Sequence, residues 1–395
     1  MSSKANNEEK FLKFRKRFPF FSYEGFDYTR HSEGLQVRYH FDLSGTWQFE
    51  PSLFIPSRSF YLPERPDPAA LEHLLFHIGM AEMISYWKAA CPEKILIKKY
   101  ALSSRQIRWW KNLIYKGLGE FFYLNSIRIP ENDFVEIIPG KEKKLPPFSL
   151  STDESTLIPV GGGKDSAVTL ELLGSLPGSL PMILNPREAS LGTLRSKGLG
   201  EDQYVNVQRT IDPLLLKLNE EGYLNGHTPF SALLAFITLL AAALTGKRYI
   251  ALSNESSANE ATIKATGINH QYSKTMEFER DFRQYVSEFI TRDIEYFSFL
   301  RPLNELQIAS LFSSFPQYFP VFKSCNAGSK TDTWCGKCAK CLFTYIVLAP
   351  FLGKEQLHKI FGRDLFADPT LIQVLDDLTG NSETRPFDCV GTVGE

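Results

Sequence analysis

The sequence has no excess of charge of either sign: 44 lysines and arginines stand against 45 aspartates and glutamates, for a net charge of −1. Its overall field would therefore attract neither nucleic acid nor an anionic membrane, and we expect neither as a partner. No apolar run reaches the roughly 20 residues that cross a bilayer. The longest, residues 230–244, predicts a buried helix.

Residues 1–10 are polar and lack the apolar stretch of a secretory signal, so we expect a cytoplasmic protein. Cysteine is also scarce, with six in 395 residues. Four of them lie between Cys325 and Cys341, whereas Cys91 and Cys389 lie far from this cluster. Such clustering indicates a metal site and not a disulfide framework.

The first part of the chain has the pattern of a small α+β domain. Residues 20–55 alternate apolar and polar side chains between turn formers, which predicts an antiparallel sheet. Apolar residues at helical spacing over 69–90 predict an amphipathic helix after it. The polar connector at 133–156 indicates a domain boundary near residue 150. We therefore predict that residues 1–150 form an α+β domain, and we assign substrate recognition to it.

Beyond that boundary, strand and helix patterns alternate. This alternation is typical of an α/β domain with a parallel sheet covered by helices, and its strands are predicted at 156–160, 180–184 and 248–253. After residue 277 the prediction is almost wholly helical, apart from the cysteine cluster and a glycine-containing tail. We therefore predict that residues 151–395 form the catalytic domain.

Residues 157–170 combine an apolar strand, a glycine-rich turn and the start of a helix. Glycines let backbone N–H groups approach phosphate oxygens, and the N-terminus of the following helix attracts the anion. The spacing matches neither the Walker A loop nor the dinucleotide-binding motif. The predicted phosphate site consists of Gly161, Gly162, Gly163, Lys164, Asp165 and Ser166.

This turn resembles the PP-loop of ATP pyrophosphatases, which reads Ser-Gly-Gly-x-Asp-Ser, with Gly161 in place of the usual serine. The resemblance implies the adenine nucleotide alpha hydrolase-like fold for residues 151–395. It also implies that ATP is cleaved between its α and β phosphates, with an adenylated intermediate and release of pyrophosphate.

Four cysteines follow one another at spacings typical of a zinc knuckle, and they are Cys325, Cys335, Cys338 and Cys341. Four thiolates suit tetrahedral Zn²⁺, and a closed four-sulfur shell leaves no position for substrate, so we predict a structural zinc. An iron–sulfur cluster remains the competing interpretation, because four cysteines also fit that ligation.

Further polar segments are spread over nearly the whole chain, including residues 117–121, 160–166, 224–229, 253–258, 269–281, 301–303, 324–326, 361–363 and 386–391. Together they resemble the MurL-type UDP-N-acetylmuramoyl-L-alanyl-L-glutamate epimerases. The resemblance implies ATP-dependent inversion of the terminal glutamate of a peptidoglycan precursor from L to D, with AMP and pyrophosphate as by-products. ATP and Mg²⁺ are the implied cofactors of catalysis.

Four residues are candidates for acid–base or substrate-positioning roles in such a reaction. His227 lies in a turn after an Asn-Gly pair, and His270 and Lys274 lie in a dense polar cluster. Cys389 lies outside the metal cluster, and its thiol would act as a base if a cation lowered its pKa. Capping roles, solvent-exposed positions or an inert buried thiol are the alternatives for these residues.

Residues that follow predicted strands are candidates for the nucleotide site, because ligands of open α/β sheets bind beyond the carboxyl ends of strands. Asn254 and Glu255 follow the predicted strand at 248–253, and Asn185 follows the one at 180–184. Glu255 is a candidate ligand for Mg²⁺, which prefers carboxylate and phosphate oxygens. A helix-capping network is the alternative.

Two other functions remain open at this point. One is a different carboxylate-adenylating PP-loop enzyme, such as a protein similar to the 7-cyano-7-deazaguanine synthases, which also have a C-terminal four-cysteine knot. Those proteins lack a long N-terminal domain, which speaks against this alternative. The other is a zinc-stabilised protein that binds a nucleotide without turnover. The intact loop at 161–166 argues against this second alternative.

Overall fold

The computed structural model describes residues 6–58, 60–61, 66–263, 268–328, 331–382, 386–392 and 394–395. The chain divides into two compact units. The first unit consists of Met1–Thr152, Val207–Gly246 and Glu277–Glu295, and the second of Asp153–Asn206, Lys247–Met276 and Tyr296–Glu395. This division differs from the predicted single break near residue 150, because two later segments belong to the first unit.

The strands, numbered along the chain, are β1 (Phe20–His31), β2 (Gly34–Leu43), β3 (Trp47–Phe49), β4 (Ser52–Pro56), β5 (Lys94–Ile97), β6 (Glu136–Ile138), β7 (Asp153–Pro159), β8 (Leu180–Leu184), β9 (Val205–Thr210), β10 (Lys247–Leu252) and β11 (Glu295–Ser298).

The helices are α1 (Glu8–Arg17), α2 (Pro68–Glu82), α3 (Ile84–Trp87), α4 (Ser104–Gly117), α5 (Gly119–Leu124), α6 (Lys164–Leu173), α7 (Glu188–Ser196), α8 (Pro213–Glu220), α9 (Phe230–Thr245), α10 (Met276–Phe289), α11 (Glu305–Ser313), α12 (Ala339–Leu348), α13 (Lys354–Phe361) and α14 (Ile372–Thr379).

The sheet of the first unit is built around β2, which pairs antiparallel with β1, β3 and β4. Strand β1 also pairs in parallel with β5, which pairs in parallel with β6. On the other side, the end of β9 pairs antiparallel with β4, where Leu53 lies opposite Arg209. The alternating residues Leu35, Val37 and Phe41 of β2 are all buried. The prediction of an antiparallel sheet at 20–55 is confirmed.

Helices α2 and α9 pack together in the core of the first unit. Helix α2 begins after Asp67, whose side chain accepts hydrogen bonds from the N–H groups of Ala69 and Ala70, a typical N-cap. Helix α9 is apolar on nearly all sides and ends at Gly246, which has a left-handed φ of 69°. The predicted buried helix is confirmed. Within the part of the chain that the structure describes, no helix is both long and apolar enough to span a membrane.

The sheet of the second unit has the strand order β11-β10-β7-β8. Strand β7 pairs in parallel with β10 and with β8, so the carboxyl ends of all three strands meet at one edge. The prediction of an almost wholly helical region after residue 277 was wrong at β11. Tyr296 and Ser298 of that strand are buried and alternate with less buried residues, a period of two that is too short to recognise in four residues.

Candidate active site

The glycine-rich turn between β7 and α6 has the tight geometry that its sequence predicts. Gly162 has a φ of 86°, and its N–H donates to the Ser166 hydroxyl oxygen at 3.1 Å. A Cβ atom at this position would lie 2.6 Å from the backbone nitrogen of Ser190. Only glycine fits here, because both the backbone conformation and the close approach of α7 exclude a side chain.

Lys164 lies at the centre of a buried charge cluster at the start of α6. Its ammonium group donates to the carboxylates of Asp165 and Glu305, and the Lys164 and Glu305 side chains are only 4% and 6% exposed. Burial opposes the charged form of Lys164, but the two carboxylates outweigh it and raise its pKa. Lys164 is therefore held protonated beside the glycine-rich turn.

Glu255 adds a third carboxylate to this cluster. It follows β10, is 7% exposed, and accepts hydrogen bonds from the N–H and the hydroxyl of Ser257. Burial and the charge of Asp165 raise the pKa of Glu255. The hydrogen bonds from Ser257 and the charge of Lys164 lower it, but they do not outweigh these effects. The neighbouring Asn254 donates from its side-chain amide to the Ser298 hydroxyl at 3.1 Å.

A second group of reactive side chains surrounds Cys389. The Lys274 ammonium donates to the Cys389 sulfur at 3.0 Å. Burial opposes ionisation of the thiol, but Lys274, Lys340 and a hydrogen bond from His270 hold the pKa of Cys389 well below its usual value. The charge of Cys389 in turn raises the pKa of Lys274. Both shifts favour a thiolate beside an ammonium group.

His270 is oriented by a hydrogen bond between its Nδ1 atom and the Thr262 hydroxyl, at 2.6 Å. Such a bond helps to fix the orientation of the imidazole ring. Together with Lys274, His270 favours the ionised form of the Cys389 thiol.

Arg301 connects the two groups of side chains. Its guanidinium donates to the backbone carbonyl oxygen of Glu255 at 2.7 Å and to that of Lys274 at 2.6 Å. The charges of Asp165 and Glu255 also contribute to the raised pKa of Lys274. The glycine-rich turn at 161–166 and the Cys389–Lys274 pair therefore belong to one site in the second unit.

The four clustered cysteines lie close enough to share one metal ion, because their sulfur atoms are all within 4.8 Å of one another. The Cys325–Cys338 and Cys335–Cys341 sulfur distances are both 3.7 Å. A tetrahedron with metal–sulfur bonds of about 2.3 Å has edges of about 3.8 Å. The N–H of Gly328 also donates to the Cys325 sulfur at 3.1 Å. The site therefore fits a tetrahedral metal ion.

Two predicted site residues lie away from these contacts. His227 belongs to the first unit, where its Nδ1 atom lies 3.6 Å from the Glu120 carboxylate, and its catalytic role stays a prediction. Asn185 is exposed just after β8 and has a left-handed φ of 51°. Its position at the carboxyl edge of the sheet fits the predicted nucleotide role, which also stays a prediction.

Glu305 and Thr262 are site residues that the sequence did not reveal. Glu305 is an acidic residue in the first turn of a helix, after the N-cap Asn304. Acidic residues at such positions are explained by their favourable interaction with the helix dipole, so nothing marked Glu305 as a site residue. Thr262 is one of several small polar residues in its segment. Arg301 was part of a recognised segment, 301–303, but no role was predicted for it.

Two family models match the chain: the MurL N-terminal domain over residues 13–299 and the MurL C-terminal domain over residues 321–395. Three relatives carry the name UDP-N-acetyl-alpha-D-muramoyl-L-alanyl-L-glutamate epimerase. The protein from Xanthomonas oryzae pv. oryzae is 34% identical over 332 residues, which cover 82% of this chain and 72% of the relative.

The protein from Salinispora tropica is 36% identical over 337 residues, which cover 83% of this chain and 72% of the relative. The protein from a Micromonospora species is 35% identical over 345 residues, which cover 84% of this chain and 75% of the relative. Both family models and these relatives agree with the resemblance recognised in the sequence, and the chain belongs to the MurL family of epimerases.

Proposed function

We propose that the chain converts UDP-N-acetylmuramoyl-L-alanyl-L-glutamate into its D-glutamate isomer at the expense of ATP, in the synthesis of peptidoglycan precursors. The names of its relatives support this substrate. The observation that carries the proposed mechanism is the contact of the Lys274 ammonium with the Cys389 sulfur at 3.0 Å, in the same site as the glycine-rich turn at 161–166. One group of side chains suits activation of a carboxylate, and the other suits proton transfer.

The chemistry explains why ATP is needed. A proton on the carbon beside a carboxylate is poorly acidic, because the carbanion would form next to a negative charge. In the proposed first step, the glutamate α-carboxylate attacks the α-phosphate of ATP, and pyrophosphate leaves. The resulting acyl-adenylate has no charge beside that carbon, so its proton can be removed. After a proton is returned to the opposite face, water cleaves the anhydride and releases AMP.

The phosphate loop is proposed to act as a PP-loop that holds ATP. Backbone N–H groups at 161–163 and the ammonium of Lys164 would contact phosphate oxygens, as helix N-termini and buried lysines do in other phosphate sites. Three carboxylates of this cluster, Asp165, Glu255 and Glu305, surround a single lysine. This donor set fits Mg²⁺, which Asp165 and Glu255 would hold and which would neutralise phosphate charge.

Cys389 is proposed to remove the α-proton. A cysteine acts as a base in its thiolate form, which nearby cations favour by lowering the pKa of the thiol, and Lys274 supplies such a charge at 3.0 Å. The proton would move from the glutamate α-carbon to the Cys389 sulfur. His270 and Lys274 would hold the thiolate in position and keep it ionised before the substrate binds.

The proposal is tested by incubating the protein with UDP-N-acetylmuramoyl-L-alanyl-L-glutamate, Mg²⁺ and ATP in deuterium oxide. We expect D-glutamate that carries deuterium at its α-carbon, detected by mass spectrometry after chiral separation, because inversion requires that proton to leave. Omitting ATP should abolish both exchange and inversion. Exchange that continues without a nucleotide would contradict the proposed order of steps.

We also propose that the four-cysteine site holds a structural zinc ion. Purified protein should contain about one zinc per chain by elemental analysis, because the site is a closed tetrahedron of sulfur atoms. Cys338→Ser should lose the metal and unfold at a lower temperature, since zinc binding contributes to folding. Cys91→Ala, which removes a cysteine outside the cluster, should keep the metal. Iron in place of zinc would refute this assignment.

A further inference from the structure

The first unit contains a cavity of about 180 Å³. It is formed by the region around α3, the end of β9, helix α8 and the start of α9. Its polar lining consists of Ser85, Lys88, Arg209, Asn219, Asn225 and Thr228. Pockets for whole drug-sized ligands are usually about 300–1,000 Å³, so this cavity suits one polar group of a larger molecule.

Lys88 is the most unusual residue of this cavity, because it is buried without a balancing charge. It is 6% exposed, and its ammonium donates to the Asn225 side-chain oxygen at 3.1 Å and to the Gly226 carbonyl oxygen at 2.6 Å. Both acceptors are neutral, and within the described residues no carboxylate pairs with it. Burial consequently lowers the pKa of Lys88 to about 8.

Arg209, the other cation of the cavity, is already neutralised. Its Nε and Nη2 atoms both donate to the Glu82 carboxylate at 2.7 Å. A buried charge without a partner is costly, so the cavity as a whole carries an excess of one positive charge, at Lys88. An anion that entered the cavity would supply the missing partner.

The start of α9 strengthens the attraction for an anion. Pro229, Phe230 and Leu233 at its start line the same cavity, and the N-terminus of a 16-residue helix carries a partial positive charge. Amide and hydroxyl groups of the lining add neutral donors. Several donors around one cation suit the many oxygens of a phosphate group better than they suit a single carboxylate.

The mouth of the cavity is apolar and exposed. Phe230 is 47% exposed and Leu216 is 54% exposed, and both residues line the cavity. An exposed aromatic ring beside an anion site provides a surface on which a planar base can stack. The ligand that fits this arrangement therefore carries a phosphate group and an aromatic base.

We propose that this cavity binds the diphosphate of a nucleoside diphosphate, with Lys88 as its counter-ion and Phe230 against the base. The identification of this ligand as the uridine diphosphate end of the substrate rests on the function proposed above. Binding here would give the first unit a role in substrate recognition.

The test is calorimetric titration of the whole protein with UDP, with a non-hydrolysable ATP analogue present to occupy the phosphate loop. Lys88→Met should weaken UDP binding by about tenfold or more, because a charge-assisted contact is lost. Lys217→Met is the matched control. Lys217 lies on α8, is 65% exposed and does not line the cavity, so its replacement should leave the affinity unchanged.

Phe230→Ala is a second variant that leaves the buried part of the fold intact. It should weaken binding of UDP but not of inorganic pyrophosphate, which has no base. Unchanged UDP affinity in folded Lys88→Met protein would overturn the proposed site, and unchanged UDP affinity in Phe230→Ala would overturn the base contact. Because these titrations need no turnover, a lack of epimerase activity would refute the proposed function without affecting this result.

Discussion

Replacing Cys389 with serine should slow ATP-dependent exchange of the substrate α-proton by about 10²–10⁴-fold, the usual contribution of a general base. A serine hydroxyl in the same place is not ionised near neutral pH, so it cannot take the proton. Pyrophosphate release should continue, since adenylation uses a different group of side chains. Deuterium incorporation and pyrophosphate release, measured on the same samples, separate the two steps.

Lys274→Met provides a sharper version of this experiment. Without the ammonium group at 3.0 Å, the pKa of Cys389 should rise, because the charge of Lys274 is the chief influence that lowers it against burial. Exchange should therefore fall near neutral pH and recover as the pH increases. Cys91→Ala serves as the control. Normal exchange in Cys389→Ser would show that another residue is the base, even if the reaction itself is correct.

Replacing Asp165 with asparagine should reduce substrate-dependent cleavage of ATP by about 10²–10³-fold, as expected when a group that organises phosphate charge is lost. Asparagine has nearly the same shape, so the fold should survive. The variant loses a carboxylate that both pairs with Lys164 and is the proposed Mg²⁺ ligand. The rate of AMP and pyrophosphate formation is the measurement.

Lys197→Met is a suitable comparison for the loop variants. Lys197 lies in the second unit and pairs with Glu171 at 2.9 Å, outside the phosphate loop, so its loss should affect stability more than turnover. The identity of the nucleotide product is the decisive observation. Formation of ADP and phosphate would contradict the assignment of residues 161–166 as a PP-loop.

Several features of this protein could be predicted from the sequence because each depends on residues that are close together in the chain. The turn at 161–166 requires a glycine at a left-handed position and a helix that begins directly after a strand. Consecutive residues determine both features. The four cysteines are likewise confined to residues 325–341. Alternation at 20–55 and the apolar run at 230–244 predicted a sheet and a buried helix correctly.

The organisation of the site was decided by the tertiary structure. Lys274 and Cys389 are 115 residues apart in the chain, and Lys164 and Glu305 are 141 residues apart, so no local pattern relates them. Arg301 donates to the backbone carbonyl oxygens of two residues. Every residue has such an oxygen, so the sequence does not indicate which of them a side chain contacts. Residue types determine which charges and thiols exist, but only folding determines which of them meet. Burial and neighbouring charges then set their protonation states.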